Sequence, residues 1–276
     1  MDAATTRDPP LVRGMLTFLG DVNATPTNYF DVDPPRLYPR VKHEVPIHDG
    51  RRLASSIDRQ GFVLVRHADG VVADFHDEAL LRAAYYPSVE RLVREVTGAV
   101  KVVIFDHTHR SSALRRRAAD STDVAVEEVH NDYTVASGPR RVRELLGRLL
   151  PDEDTDQLLA RRFAVFNVWR STAGVVRRWP LALCDMRTLD GADVVEAELK
   201  WPHRTGYVCA IRHNPGQRWY TFPAMDVDEA LVFKCYDSVA VDGARFGAHT
   251  AFDDPTSRLD APPRESIEIR AIALYR

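Results

Sequence analysis

From Arg162 to its C-terminus the chain is a series of short β-rich runs broken by turns, at 163–169, 181–187, 196–199, 208–213, 218–222 and 230–236. A final pair follows, around His249 and over 264–275. Runs of this length, rich in β-branched and aromatic residues and bounded by Gly, Pro, Asn and Asp, are strand signals. A chain that spends its second half this way folds as a mainly β domain with flanking helices. The last run alternates polar and apolar residues at period two, so Arg264, Ser266 and Glu268 share one face. An Arg and a Ser pointing the same way can grip a carboxylate, because the guanidinium fork matches two carboxylate oxygens in parallel bonds. Two other arginines compete for that role. Arg258 sits in a Pro-rich loop, and Arg270 lies on the same side further along with no Ser beside it.

The first half is different. Leu80, Leu81, Ala84, Leu92, Val93 and Val96 recur at near-helical spacing and predict one or two helices over 77–97, broken at Pro87. A second helix over 140–150 carries Val142, Leu145, Leu146 and Leu149 on one side, and a short one begins near Thr155. Residues 1–10 read as a frayed tail and 26–46 as a Pro-rich extended stretch wrapping the domain. A buried strand is expected over 101–106, and 124–129 alternates well enough to lead a strand into His130. The organisation expected is an N-terminal extension with helices, 1–99, packed on a core of 100–276, one structural domain overall.

Two imidazoles and one carboxylate on one face of Fe(II) leave three adjacent coordination positions open, the arrangement of non-haem iron oxygenases. His130-Asn131-Asp132 with His249 far downstream offers that donor set. Alone, a His-X-Asp step also fits a strand-end turn in which the Asp caps backbone amides. His43, His48, His67, His76, His107, His109, His203 and His213 are further candidates. The main rival is His213, whose following Asn-Pro-Gly reads as a hairpin turn at a rim.

In a strand over 166–170, Asn167 and Trp169 face one way while Phe166, Val168 and Arg170 face the other. Arg170 then has two readings: a salt bridge to Asp185 or Asp237, or an anchor for a substrate or co-substrate carboxylate. Asn167, Lys101, Tyr133, Lys234 and Tyr236 are weaker substrate-side candidates.

Six runs in order carry a resemblance: Val129-His-Asn-Asp-Tyr-Thr134, Phe166-Asn-Val-Trp-Arg170, Pro180-Leu-Ala-Leu-Cys-Asp185, Phe233-Lys-Cys-Tyr-Asp-Ser238, Gly247-Ala-His-Thr-Ala-Phe252 and Pro263-Arg-Glu-Ser-Ile-Glu-Ile-Arg270. Over roughly residues 100–276 the chain resembles the hydroxylase/desaturase family. That family includes the hydroxylase component of cephamycin 7-alpha-methoxylation and gibberellin desaturase-like enzymes of fungal secondary metabolism. The resemblance implies a double-stranded β-helix, a jelly-roll or cupin-like barrel, using Fe(II) with 2-oxoglutarate and O2 as co-substrates. It implies His130, Asp132 and His249 as iron ligands, and Arg264 with Ser266 on the distal carboxylate of 2-oxoglutarate. The reaction would hydroxylate, desaturate or oxidatively cyclise a small specialised metabolite, with substrate preference set in the first hundred residues. Two alternatives stand beside it: a cupin-type metal dioxygenase or isomerase that does not use 2-oxoglutarate, and a non-catalytic small-molecule-binding barrel.

Composition narrows the partners. A chain of 276 residues with 45% hydrophobic content can bury one substantial core. A net charge of -3 gives no global basis for nucleic-acid binding, and the run Arg115, Arg116, Arg117 reads as a solvated helix face. Cys184, Cys209 and Cys235 sit in apolar runs with no close pair, as buried thiols of a reducing cytoplasm would. No apolar stretch approaches the roughly 20 residues of a membrane span. A cytoplasmic enzyme with a small-molecule substrate is expected, with no membrane or nucleic-acid partner and room for a homodimer.

Overall fold

The computed structural model describes residues 9–112, 126–240 and 245–276. The first eight residues of the expected tail over 1–10, the basic run at 115–117 and the first residues of the run at 124–129 lie outside the described residues. Two sheets form the fold. The larger has nine strands in the spatial order β1 (Val12–Leu19), β3 (Arg40–Asp49), β11 (Trp219–Thr221), β8 (Leu181–Cys184), β13 (His249–Ala251), β6 (His130–Asn131), β10 (Arg204–Ile211), β9 (Val194–Trp201) and β2 (Thr27–Tyr29). The smaller runs β4 (Phe62–Arg66), β12 (Glu229–Asp237), β7 (Phe163–Ser171), β14 (Glu265–Leu274), β5 (Lys101–Ser111).

The inner faces of the two sheets meet in one apolar core. Leu181, Leu183, Tyr220 and Ala251 come from the large sheet; Phe163, Val165, Leu231, Phe233, Ile272 and Leu274 come from the small one. Each Leu, Ile, Val or Phe side chain among these contributes about 1.5–3 kcal/mol once buried. Alternate residues of the same strands go outward. Ile267, Ile269, Ala271, Phe166 and Val168 pack under α2 (Tyr86–Thr97) with Val89, Leu92 and Val93. On the large sheet Ala182, Cys184, Cys209, Ile211 and Trp219 join Leu16 and Phe18 of β1 in a third core. The sheet curls far enough for β1 to bridge back to Glu128 and Asp253, through Thr17 and Met15. This is the double-stranded β-helix.

Three elements differ from the sequence reading. Strands β1 to β4, within residues 12–66 of the expected N-terminal extension, pair into the two sheets instead of lying on them. The helix over 78–97 is not broken at Pro87. α1 (Glu78–Leu80) continues through a π turn at Leu81–Tyr85 into α2, with Tyr86 N–H donating to the Leu81 carbonyl. Pro87 has no N–H to donate, and the wider turn just before it accommodates that loss without a kink that ends the helix. The run leading to His130 contributes only the two-residue β6 and a single bridge at Glu128. α3 (Ser137–Leu149) and α4 (Thr155–Leu159) form where expected. All three cysteines are buried and unpaired.

Candidate metal centre and the cleft beside it

β6 and β13 are neighbours in the large sheet, and His130 is the register partner of His249. Both rings therefore project from the same face, into the space between the sheets, where His249 lies 4.7 Å from the Phe233 ring. Asp132, two residues past His130, returns to the same face. One ligand-type atom from each of His130, Asp132 and His249 lies within 4.8 Å of the others, the one such grouping among the described residues. The intervening Asn131 is fully buried and donates to the carbonyls of Tyr133 and Cys235, at 2.6 and 2.9 Å, which ties this turn to β12.

Neighbours orient each member. His130 Nδ1 sits 2.7 Å from the Glu128 carbonyl, which makes that nitrogen an N–H donor and turns Nε2 toward the group, 3.4 Å from Asp132 Oδ1. Asn167 donates to Asp132 Oδ2 at 2.9 Å, and Arg270 Nε approaches the same oxygen at 3.6 Å. Burial opposes ionisation of Asp132, but the hydrogen bond from His130 and the charge of Arg270 outweigh it and hold the carboxyl well below its usual range. Burial, with the His130 charge, pushes His249 down to about 3, so its imidazole is neutral. Its buried Nδ1 has no hydrogen-bond partner among the described residues. A neutral imidazole, an oriented second imidazole and a carboxylate fit the needs of a divalent iron.

Arg264 and Ser266 are buried at the start of β14, and Ser266 pairs in register with Arg110 of β5. Arg264 lies 5.4 Å over the Trp169 ring and donates to the Trp179 carbonyl at 2.5 Å, while its Nε has no hydrogen-bond partner and the guanidinium makes no ion pair among the described residues. Burial and the charge of Arg110 push it down to about 10. That Arg110 charge bears on His249 as well, so the lone guanidinium and the histidine pair share one electrostatic neighbourhood. A buried cation without a counter-ion is costly, and a bound dicarboxylate would supply one.

Other sequence candidates fall elsewhere. Arg270 is no rival clamp: it pairs with Glu268 at 2.7 Å and Asp106 at 3.1 Å and supports Asp132. Arg170 is fully buried on the opposite face of β7 from Asn167, donating to the His67 carbonyl at 2.7 Å beneath the Phe75 and Tyr85 rings. Neither expected salt bridge forms, since Asp185 pairs with Arg187 and Asp237 with Arg162 and Lys234. The geometry therefore does not bring Arg170 to the triad. Lys101 pairs with Glu153 at the far end of β5, and Tyr236 stacks on Phe163. His213 stacks on His43 at 4.0 Å, outside the triad. Tyr133 lines a cleft of about 480 Å³ together with Asp132, Arg270, Trp201 and Tyr207. Arg110 went unremarked in the sequence, although its even spacing from Asp106 and Thr108 puts all three on one face of β5.

A protein family described as an oxidoreductase/YMDC permease-like domain matches residues 16–274. Among the described residues no helix is long and apolar enough to cross a membrane. The chain is 34% identical over 240 residues to the Fe(II)/2-oxoglutarate-dependent dioxygenase nvfI of Aspergillus novofumigatus, covering 83% of this chain and 82% of that protein. It is 31% identical over 242 residues to the hydroxylase/desaturase efuI of Hormonema carpetanum, covering 80% and 79%. The solved structure of the iron and alpha-ketoglutarate-dependent endoperoxidase NvfI superposes with a TM-score of 0.81 at 28% identity, over 95% of this chain and 97% of that one.

Proposed function

Because this chain belongs to the family of the Fe(II)/2-oxoglutarate-dependent dioxygenases and hydroxylase/desaturases, we propose that His130, Asp132 and His249 hold its iron and that Arg264 and Ser266 take the distal carboxylate of 2-oxoglutarate. The enzyme is an oxidoreductase using Fe(II), 2-oxoglutarate and O2 on a small metabolite of specialised biosynthesis. Its relatives are named as 2-oxoglutarate enzymes, which sets aside a cupin-type enzyme without the keto acid and a non-catalytic barrel.

Iron bound with 2-oxoglutarate and O2 supplies the oxidising power to remove hydrogen from an unactivated C–H bond. The chain's own work is orientation and exclusion. Asn167 and Arg270 fix which carboxylate oxygen of Asp132 stays engaged and which faces the imidazoles. Glu128, through its carbonyl, holds the tautomer of His130. Phe233 and Trp169 set apolar rings against the histidine and arginine ends, which helps to keep bulk water away. Hydroxylation, desaturation and oxidative cyclisation share these ligands, and the substrate's pose in the cleft beside Asp132 selects among them. A cytoplasmic setting without membrane or nucleic-acid partners is part of the proposal, resting on the unpaired cysteines and the mild net charge.

The observation that carries this reading is the in-register His130–His249 pair with Asp132 beside it. Anaerobic titration calorimetry with Fe(II), then with 2-oxoglutarate, tests it. Wild type is expected to bind both in sequence, and His249→Ala to lose iron binding while keeping its β-sheet circular dichroism; undiminished iron binding in His249→Ala would remove the assignment.

A further inference from the structure

The cleft that begins at Asp132 ends in a rim with more positive charge than its acids balance. Arg270 is already paired with Asp106 and Glu268, and Arg141 with Glu144 at 2.8 Å. Two rim cations remain. Arg140 from α3 and Arg204 from β10 are exposed, and neither has a carboxylate partner among the described residues. Each lies on an aromatic ring of the same cleft: Arg140 is 5.1 Å from the Tyr207 centroid and Arg204 is 4.2 Å from that of Trp201. Stacking restrains a guanidinium while leaving its N–H edge open, the state best prepared to receive a flat oxyanion. Unpaired surface arginines are ordinary singly. Two of them, from different elements, laid on the walls of the cavity that holds Asp132, give that cavity a sign and a direction.

We propose that this cleft takes an organic anion: a small metabolite whose apolar body lies between the walls that Trp201 and Tyr207 line, with its acid group toward Arg140 and Arg204 and its reacting carbon toward Asp132. This rests on the reading of the triad as the iron centre. The cleft's volume of about 480 Å³ suits a molecule of that kind. Both arginines act as specificity determinants and touch neither the iron ligands nor Arg264.

The test uses a matched pair of probes, 2-naphthoate and its neutral amide 2-naphthamide, followed by tryptophan fluorescence with saturating Mn(II) and 2-oxoglutarate under argon, so that Arg264 is already engaged. Wild type is expected to prefer the acid about tenfold, a difference of about 1.4 kcal/mol. Arg140→Gln/Arg204→Gln is expected to bind both probes alike, with unchanged affinity for Mn(II) and 2-oxoglutarate showing that the fold is intact. Equal binding of the two probes by wild type, or a preference that survives in the double variant, would overturn the proposal. Mn(II) binding by wild type reports on the triad independently: its absence would remove the iron reading, whereas an absent acid preference removes this one alone.

Discussion

His130 and His249 face each other across one rung of the large sheet, as register partners in adjacent antiparallel strands with ring centroids 4.4 Å apart. Residues some 120 apart in sequence are thus brought together by backbone hydrogen bonding, not by a flexible loop. Strand period makes the arrangement all-or-none: a one-residue slip of β13 would turn His249 outward, toward the core that now holds Ala248.

Orientation of Asp132 can be tested apart from ligation. Asn167→Ala removes the donor to Asp132 Oδ2 without touching a ligand. Outer partners of this kind are worth about 10–100-fold in metal affinity. Calorimetric titration of Fe(II) is expected to show a loss in that range, with the melting temperature nearly unchanged; wild-type affinity would mean that Arg270 alone positions the carboxylate.

For the keto acid, Arg264→Ala is expected to weaken 2-oxoglutarate binding by about 2–5 kcal/mol, the cost of leaving a buried carboxylate unpaired. Ser266→Ala should lose about 1 kcal/mol, one hydrogen bond. Comparing 2-oxoglutarate Kd values at fixed Fe(II) checks both, and equal values for wild type and Arg264→Ala would transfer the role to Arg110.

Arg170 makes a different kind of prediction. Its Nε and Nη1 are buried without hydrogen-bond partners, and it makes no ion pair among the described residues. Even a buried ion pair can often be replaced by hydrophobic residues of similar volume at no cost or with a gain of about 1–4 kcal/mol, and Arg170 has no ion pair to lose. Arg170→Met is therefore expected to unfold at equal or higher urea concentration, with an unchanged ratio of succinate to oxidised product. A large loss of stability, or uncoupling of that ratio, would show that Arg170 does more than fill space beneath Tyr85.

His67, beside Arg170 and hydrogen-bonded to Ser88, is pushed down from 6.5 to about 4 by burial and by the charge of Arg170. The unfolded chain binds this proton more readily than the folded one. Its contribution is complete above pH 6.5 and is lost as pH falls toward about 4. Urea unfolding at pH 7 and pH 5 is expected to show a drop for wild type that is smaller in His67→Gln; identical drops would place the acid sensitivity elsewhere.

The sequence was most informative where function depends on short local patterns. His-X-Asp and Arg-X-Ser each put two side chains on one face of a strand, and period two alone orients them. Arg170 shows the limit. All nine residues of β7 are buried, so neither face carries the polar signal that would mark it as inner or outer, and the charge of Arg170 suggested a pocket when that face packs under a helix. Strand β3 was hidden for another reason, since most of it falls in the Pro-rich stretch 26–46, which reads as extended chain wrapping the domain. The cleft rim had no local signature either: Arg140 and Arg204 belong to a helix and a strand that meet only in the folded chain.

The most direct measurement is an anomalous difference map from crystals grown anaerobically with Mn(II) and 2-oxoglutarate. A single strong peak is expected between His130, Asp132 and His249, with the distal carboxylate of the keto acid against Arg264. A peak at His43 and His213, or at the His76, His107 and His109 group, with none at the triad, would contradict the account.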